Sequence, residues 1–375
     1  MQFGLTESQE LLKSSARQFF SGECPMAEVR RLMETETAFD EGLWRKMGEQ
    51  GWTGIVFPEA YDGMGLGMVE MAAALEEMGR ALVPGPYLAT VLLAATAIDS
   101  AGSEEQKKKY LAPICRGEAR ATLALLETNA GWDPEATRLA ATASNGGFRL
   151  DGKKLFVPDA GVADFLICAA RIGGELGLVR VDAKARGLNL EPMPAMDATR
   201  KLYAIDFAGV PADVLATGER ARAALERALD VATVGLVAEM VGGMQRVLEL
   251  TVEYAKTRKQ FGKPIGQFQA VQHHCADMFL LAESASSAAY YAAWALHENA
   301  SQARMAISIA KSYASEAYRE VGNRGIQVHG GMGFTWENDL HLYYRRAKAS
   351  EILFGDATYH RERIAREVID SRMAS

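Results

Sequence analysis

The chain has 375 residues, of which 49% are hydrophobic and 24% are charged, with a net charge of -7 and a pI near 5.6. This length predicts two or three domains in a globular protein, and the acidic balance argues against nucleic-acid binding, which normally requires a basic face. No run of about 18 or more apolar residues exists, so we expect no membrane span. The first residues, Met1–Glu7, lack the basic and apolar regions of a signal peptide and predict a cytoplasmic protein.

Residues 1–118 predict an N-terminal helical domain. Thr6 can cap a first helix, because apolar residues follow it at helical spacing. Ser103 can cap a later helix, which has acidic residues in its first turn. The glycine-rich segment Phe57–Gly67 is not followed by Lys-Ser or Lys-Thr, which argues against a phosphate-binding loop.

Residues 119–216 predict a middle domain with an antiparallel sheet. Short β-prone segments alternate here with Gly, Asn, Asp and Pro, as in a series of hairpins. The segment Asn145–Gly147 predicts one of the hairpin turns. The predicted strands cover 121–126, 138–143, 148–151, 154–157, 164–170 and 176–181.

Residues 217–375 predict a C-terminal four-helix bundle, because they are rich in Ala, Leu, Glu, Arg and Met with helical periodicity. The predicted helices cover 220–256, 267–298, 301–322 and 339–372. The order of helices, sheet and helices therefore predicts an α+β multidomain fold.

The cysteines and histidines give no sign of a metal or disulfide site. No cysteine belongs to a CxxC pair, so we expect buried, reduced thiols. His273 and His274 are adjacent, so on a helix they point about 100° apart and cannot form a metal-binding pair. We expect no metal.

Two segments carry the most specific chemistry. Arg258–Gln269 (RKQFGKPIGQFQ) supplies a fixed cation within a helical region, and Gln327–Glu337 (QVHGGMGFTWE) supplies three glycines that allow close backbone approach. Together they resemble the flavin-pyrophosphate segments of the acyl-CoA dehydrogenase family. The resemblance covers nearly the whole chain and implies that FAD is the cofactor.

The resemblance also implies roles for individual residues. Arg258 matches the arginine that contacts the FAD pyrophosphate, Gln327 matches a glutamine near the adenosine, and Gly330 and Gly331 match the close backbone approach. In the family these groups reach across a dimer interface into the neighbour's FAD, which implies a homo- or hetero-oligomer, usually a dimer of dimers. The same motif contains Phe261 and Gln269.

The family reaction is the α,β-desaturation of an acyl-CoA thioester. A carboxylate base removes the α-proton as the β-hydride passes to flavin N5, and the electrons then pass to an electron-transfer flavoprotein. Since a thioester α-proton is too weakly acidic for a carboxylate in water, the site must polarise the carbonyl and exclude water.

The flavin-ring pocket departs from the family pattern. The family's Thr-Glu-Pro-Gly-Ala-Gly-Ser-Asp loop corresponds to Leu126–Asp133, where Trp132 replaces the serine. The family's Trp-Ile-Thr/Ser segment, which stacks on the flavin and donates to its N5 region, corresponds to Phe156–Pro158. Phe156 can still stack, but Pro158 cannot donate from its side chain or its backbone.

The catalytic base is also displaced. Many family members have Tyr-Glu-Gly-Thr near the C-terminus, and alignment places Gly355 at the glutamate position. Asp356, one residue later, is one candidate base, with a helix cap or turn aspartate as the alternative.

A second candidate base lies on the helix before Arg258. Some family members supply the base there, at a position that falls on Ala232. Glu239 lies about two turns further along the same helix face. The alternative is that Glu239 makes a buried interhelix hydrogen bond or ion pair.

Three functional hypotheses follow. The first is a FAD-dependent acyl-CoA dehydrogenase. The second is a non-catalytic or half-site subunit of a heteromeric acyl-CoA dehydrogenase, which supplies cross-interface FAD contacts to a partner chain. Phe354–Arg361 resembles a bacterial branch that builds such mixed tetramers, several of them linked to sterol side chains. The third is a flavin oxidase on the same scaffold.

Overall fold

The computed structural model describes residues 4–128, 131–144 and 147–373. The described chain forms two compact units. The first unit contains the chain up to Val29, Met68–Val83 and the chain from Thr233 onward, and the second contains Arg30–Gly67 and Pro84–Ala232. The predicted domain boundaries at 118/119 and 216/217 remain predictions.

The elements follow the predicted order of helices, sheet and helices, which confirms the predicted fold class. The described α-helices are α1 (Glu7–Glu23), α2 (Met26–Met33), α3 (Glu41–Glu49), α4 (Met68–Arg80), α5 (Thr96–Ala101), α6 (Glu104–Gln106), α7 (Ala112–Cys115), α8 (Gly218–Thr257), α9 (Gln269–His297), α10 (Ala303–His329), α11 (Leu340–Ile352) and α12 (Ala357–Met373). Two π-helical segments, Leu88–Ala95 and Lys107–Leu111, lead into α5 and α7. The described strands are β1 (Ala121–Ala124), β2 (Ala140–Ser144), β3 (Gly147–Pro158), β4 (Phe165–Ile172), β5 (Glu175–Asp182), β6 (Leu188–Met193), β7 (Leu202–Thr217), β8 (Lys259–Gln260) and β9 (Lys263–Pro264).

Both predicted helix caps are present as capping boxes. The Thr6 hydroxyl accepts from the Gln9 N–H at 3.3 Å, and the Gln9 side chain accepts from the Thr6 N–H at 2.9 Å. Ser103 and Gln106 make the same reciprocal pair at the start of α6. Each box satisfies two N–H groups that a helix start leaves without intrahelical partners.

The second unit contains a seven-stranded sheet in the order β1-β4-β2-β3-β7-β5, with β6 paired to β7 and β4 also paired to β5. Most pairs are antiparallel as predicted, but β1–β4 and β2–β4 are parallel. The two predicted strands 148–151 and 154–157 are one strand, β3, and the prediction missed β6 and β7. Their alternation is weak, because β6 is largely exposed and β7 contains Gly209 and Pro211.

The core of this sheet consists of alternating apolar side chains. Its largest buried members are Leu139, Leu150, Leu166, Tyr203, Ile205 and Phe207. The predicted hairpin turn falls on Asn145 and Gly146, which lie outside the described residues.

In the first unit, α4 and α8 cross with their backbones in contact. A Cβ added at Gly242 would lie 1.7 Å from the Glu76 carbonyl oxygen, and one at Gly79 would lie 2.0 Å from the Glu239 carbonyl oxygen. Because real Cβ atoms never come this close, only glycine permits this crossing.

Two adjacent buried acidic residues of α4, Glu76 and Glu77, bind side chains of α1 and α9. Glu76 accepts from the Lys13 ammonium at 2.6 Å and from the Tyr290 hydroxyl at 2.6 Å. Glu77 accepts two bonds from the Arg17 guanidinium, at 2.8 and 2.9 Å. Such charge-assisted bonds compensate the desolvation of both carboxylates and tie α1 and α9 to α4.

The predicted helix 339–372 is in fact two helices, α11 and α12. The chain between them has φ of 60° at Phe354 and 98° at Gly355. These left-handed conformations cannot continue a helix, so the segment from Leu353 to Asp356 forms a turn.

Helix α8 is long and apolar enough to cross a membrane by length and composition, with a mean hydropathy of 1.3 in its most apolar 18-residue window. However, 83% of that window is buried. Buried apolar helices of this kind are typical of protein cores.

Candidate functional site

The two sequence motifs lie side by side in the first unit. Helices α8 and α10 pack along their C-terminal halves, where a Cβ added at Gly325 would lie 2.9 Å from Val247 Cγ1. Near the helix ends, the Tyr254 ring stacks on His329 with centroids 4.3 Å apart. Because both helices end here, the segments that follow them emerge at the same end of the unit.

The segment after α8 is a short hairpin. Strands β8 and β9 pair, and the tip residues Phe261 and Gly262 have φ of 50° and 80°. Positive φ at both tip residues is typical of a type I′ turn. Phe261 is 91% exposed, and Gln269, which begins α9, is also exposed.

Arg258 lies between α8 and this hairpin. Its side chain is exposed, and within the described part of the chain its guanidinium has no hydrogen-bond or ion-pair partner. The backbone is fixed, because the Arg258 N–H donates to Tyr254 and its carbonyl accepts from Ile265 at 2.8 Å. The result is an anchored cation whose five donors remain available.

The glycine turn follows α10. Gly330 has φ of 60° and ψ of -141°, a conformation that essentially only glycine adopts. A Cβ at Gly330 or Gly331 would meet nothing within 4 Å, so the space beside both residues is open. Gln327, one turn earlier, is exposed and has no side-chain hydrogen bond to the described residues.

His329, the last residue of α10, directly precedes this turn and is held in a fixed position. It is 6% exposed, and its Nδ1 lies 2.8 Å from the Gly325 carbonyl oxygen. Burial lowers the pKa of His329, so the ring is neutral at pH 7 and donates to that carbonyl.

Asp356 is exposed and caps α12. Its Oδ1 accepts from the Tyr359 N–H at 2.8 Å, and its carbonyl accepts from the His360 N–H at 3.1 Å. Asp356 therefore does cap a helix, which was the alternative to its role as a catalytic base. A cap occupies one lone pair of the carboxylate, so it does not preclude a second role.

Glu239 lies in the interior of the first unit. It is 6% exposed and lies at the α4–α8 crossing, where its own carbonyl faces Gly79. Its burial fits a hydrogen bond or ion pair between helices better than it fits a catalytic base that substrate can reach.

Sequence reasoning missed two buried titratable groups beside Asp356. Lys311 and His360 are both 0% exposed, and both bind carbonyl groups of the turn between α11 and α12. A signal for Lys311 existed, because it shares the buried face of α10 with Ile307, Ala314 and Ala317. A lone lysine on an apolar helix face predicts a buried, hydrogen-bonded cation.

In the second unit, the segment that departs from the family pattern is anchored by a buried ion pair. The Lys154 ammonium, 0% exposed, donates to Glu127 at 2.7 Å and to the Leu125 carbonyl at 2.9 Å. Glu127 also accepts from the backbone N–H groups of Arg138 and Leu139. The motif residue Ala130 lies outside the described residues, and Trp132 is half-buried.

Phe156 lies on β3 at a β-bulge. Its φ is 52°, the register with β7 shifts between Lys154 and Val157, and its ring is 43% exposed. The bulge turns the aromatic ring outward, as stacking on a ligand would require. Pro158 offers only its carbonyl, which already accepts from the Thr122 hydroxyl at 2.6 Å.

The structure thus brings six predicted residues to one end of the first unit: Arg258, Phe261, Gln269, Gln327, Gly330 and Gly331. Asp356 and Glu239 lie elsewhere in that unit, and Phe156 belongs to the second unit. Within the described ranges, no group of three or more His, Cys, Asp or Glu side chains could hold a metal ion.

Comparison with known proteins identifies the family. The family models for the N-terminal and C-terminal domains of acyl-CoA dehydrogenases match residues 6–118 and 221–369. The acyl-CoA dehydrogenase IpdE2 of Mycolicibacterium smegmatis is 32% identical over 366 residues, which are 97% of this chain and 100% of IpdE2. The chain belongs to the acyl-CoA dehydrogenase family.

Solved structures agree with this assignment. A variant of the Tcur3481–Tcur3483 steroid ACAD superposes with a TM-score of 0.88 at 33% identity, over 98% of this chain and 99% of the other. The ChsE4–ChsE5 complex of Mycobacterium tuberculosis superposes with a TM-score of 0.89 at 29% identity, over the same shares.

Members of the acyl-CoA dehydrogenase family are FAD-dependent oxidoreductases, and so is this enzyme. The residues at the end of the first unit fit the cofactor's charged portion. A pyrophosphate needs a fixed cation and accessible backbone N–H groups. The exposed Arg258 guanidinium, which has no partner among the described residues, and the open space beside Gly330 and Gly331 are compatible with these needs.

Proposed function

We propose that this enzyme is an acyl-CoA dehydrogenase that removes hydrogen from the α- and β-carbons of a CoA thioester. The observation that carries the proposal is the adjacency of the Arg258 hairpin and the Gly330–Gly331 turn at one end of the first unit. In this proposal Arg258 binds the pyrophosphate and Gln327 lies near the adenosine. We call the segment Arg258–Gln269, which also contains Phe261, the Arg258 arm.

Asp356 is the proposed base. Its carboxylate is exposed on a turn of fixed conformation, whereas Glu239 is buried against α4. Asp356 takes the substrate α-proton at its carboxylate, and Phe156 provides an outward-facing aromatic surface. FAD, when bound, supplies the hydride acceptor for the β-carbon.

For the substrate, we propose a CoA thioester with a bulky, ring-containing acyl group. The proposal about the substrate is supported by structural similarity, because a steroid ACAD is among the solved structures that this chain resembles. We further propose that electrons pass to an electron-transfer flavoprotein. A cytoplasmic location remains a prediction.

We propose that the enzyme is an oligomer. Large apolar side chains are exposed on the helices of the first unit, including Phe279 (57%), Leu280 (64%) and Ile309 (46%). Phe261, at 91% exposure on a hairpin tip, is difficult to explain in an isolated chain. A partner subunit would cover these side chains, and the Arg258 hairpin would serve the neighbour's FAD.

A second candidate function is that of a half-site subunit in a mixed oligomer. Pro158 has no N–H to offer a flavin ring, and Gly355 occupies the usual position of the base. The ChsE4–ChsE5 complex, to which this chain is similar, is formed by two differently named proteins. In this candidate the chain supplies only the Arg258 arm to a partner.

The visible absorption spectrum of the chain purified alone separates the two candidates. We expect a flavin spectrum that bleaches without oxygen when a suitable acyl-CoA is added, because a self-sufficient enzyme both binds FAD and reduces it. A set of short, long and ring-containing CoA thioesters should be tested. A colourless, folded oligomer would instead support the half-site subunit.

We expect Arg258→Ala to weaken FAD retention sharply. A charge-assisted bond to a phosphate contributes about 1.5–3 kcal/mol, which corresponds to a Kd increase of about 10- to 150-fold. Lys256→Ala is the matched control, because Lys256 is a nearby exposed cation whose ammonium donates to the Glu253 carboxylate at 2.8 Å. Equal FAD content in both variants, measured after gel filtration, would remove the pyrophosphate role of Arg258.

A further inference from the structure

Lys311 is a buried cation with all of its donors engaged. Its side chain is 0% exposed in the middle of α10. The Nζ donates to Ser315 Oγ at 3.0 Å, to the Glu351 carbonyl at 3.0 Å and to the Gly355 carbonyl at 2.9 Å. An ammonium has three N–H donors, and these three acceptors use them all.

Two of these acceptors belong to the segment that leads to Asp356. Glu351 lies in the last turn of α11, where helix carbonyls have no intrahelical partner. Gly355 immediately precedes Asp356 and has φ of 98°. The ammonium therefore satisfies an orphan carbonyl at a helix C-terminus and also holds the peptide group next to the carboxylate.

His360 holds the same turn from α12. It is 0% exposed, and its Nε2 lies 3.1 Å from the Phe354 carbonyl oxygen while its Nδ1 lies 3.3 Å from Ser308 Oγ. Burial, with the charge of Lys311, lowers the pKa of His360 to about 3, so the ring is neutral. In the tautomer that fits both contacts, Nε2 donates to Phe354 and Nδ1 accepts from Ser308.

Buried side chains therefore bind two carbonyls of the turn, those of Phe354 and Gly355, and a third at the end of α11, that of Glu351. Phe354 adopts φ of 60°, which is costly for a residue with a side chain. Such a conformation persists only where the surroundings fix it. The contacts of Lys311 and His360 supply this constraint.

We propose that Lys311 is a positioning residue, which fixes the turn from Leu353 to Asp356 and thereby the direction of the Asp356 carboxylate. The inference rests on the proposed role of Asp356 as base, but its structural part can be tested without activity. Burial lowers the pKa of Lys311 to about 7 even with the opposing effect of the Asp356 and Glu351 charges, which favour the protonated form that makes all three contacts. The two carboxylates thus help to keep the proton on Lys311.

The first arm of the test is hydrogen exchange on the full-length protein. Lys311→Met removes the donors and keeps an unbranched side chain, and we expect the amides of residues 353–360 to exchange about tenfold faster or more. Exchange in α9 should be unchanged. Lys348→Met is the matched control, because Lys348 donates to the Glu351 carboxylate at 2.6 Å, whereas Lys311 donates to the Glu351 and Gly355 carbonyls.

Lys311→Gln is the second variant, and it keeps a neutral donor at the same place. If Lys311→Met does not fold, Lys311→Gln carries the test with a smaller expected increase in exchange. Unchanged exchange in residues 353–360, or an equal increase throughout the protein, would overturn the inference.

The second arm measures anaerobic flavin reduction at varied acyl-CoA concentration. Displacing a reacting group slows the chemical step more than it weakens binding. We therefore expect a limiting rate about tenfold lower or more in Lys311→Met, with substrate Kd and FAD content within about twofold of the wild type. An unchanged limiting rate with a loosened turn would overturn the positioning role.

The two proposals fail in different ways. If no acyl-CoA reduces the wild-type flavin, the proposed function fails, and faster exchange in Lys311→Met would still support the role of Lys311 in fixing the turn. If the wild type is active and the exchange of residues 353–360 is unaffected, only the inference about Lys311 fails.

Discussion

Asp356→Asn is expected to slow flavin reduction by an acyl-CoA about 10²- to 10⁴-fold, the usual contribution of a positioned general base. The asparagine oxygen can still accept from the Tyr359 N–H, and Asn caps helices as well as Asp does. The substitution therefore preserves the start of α12 and removes only the ability to take a proton. Single-turnover absorbance at the flavin band, without oxygen, measures the effect.

Glu239→Gln is the companion variant, since Glu239 is the other candidate base. Because Glu239 is buried near the α4–α8 crossing, we expect its amide form to leave the rate of flavin reduction close to that of the wild type. A large loss in Glu239→Gln with none in Asp356→Asn would transfer the role of base to Glu239. No loss in either variant would show that both assignments are wrong.

Lys154→Met is expected to destabilise the protein by about 3–5 kcal/mol, because it leaves Glu127 buried without its cation. Burial would raise the pKa of Glu127, but the Lys154 ammonium and the N–H groups of Leu139 and Arg138 hold it below its ordinary value. Chemical denaturation followed by circular dichroism gives the change in the free energy of unfolding.

The double variant Lys154→Met/Glu127→Gln is the matched control. The glutamine oxygen can still accept from Arg138 and Leu139, so the double variant contains no uncompensated charge. We expect it to be more stable than Lys154→Met alone. A loss below about 1 kcal/mol in Lys154→Met would show that the pair is not a stabilising element.

Sequence patterns predicted correctly those features that depend only on residues close together in the chain. The caps at Thr6 and Ser103 depend on residues three positions apart, and both are present. The four long helical stretches follow from apolar periodicity, and their bounds differ from the observed ones by a few residues except at two points. Helix α10 continues to His329 rather than ending near 322, and the last stretch is broken between α11 and α12.

That break has a tertiary cause. Nothing local in Leu353–Phe354 forbids a helix, and Phe354 adopts a left-handed conformation that an isolated chain avoids. Lys311 and His360, from α10 and α12, hold the carbonyls of the turn in place. Gly355 and Asp356 are local signals for a turn, but the Lys311–Gly355 contact joins residues 44 positions apart, which a local sequence pattern cannot predict.

The sequence alone determined the order of helices, sheet and helices, the caps, the family resemblance and the candidate residues of the FAD arm. These depend on periodicity, on short-range hydrogen bonds and on residue types at fixed spacing. Only the tertiary structure decided that the Arg258 hairpin lies beside the Gly330 turn, that Glu239 is buried, and that Lys311 and His360 flank Asp356. Those facts depend on which helix faces pack together, since burial and hydrogen bonding between distant residues are properties of the folded chain.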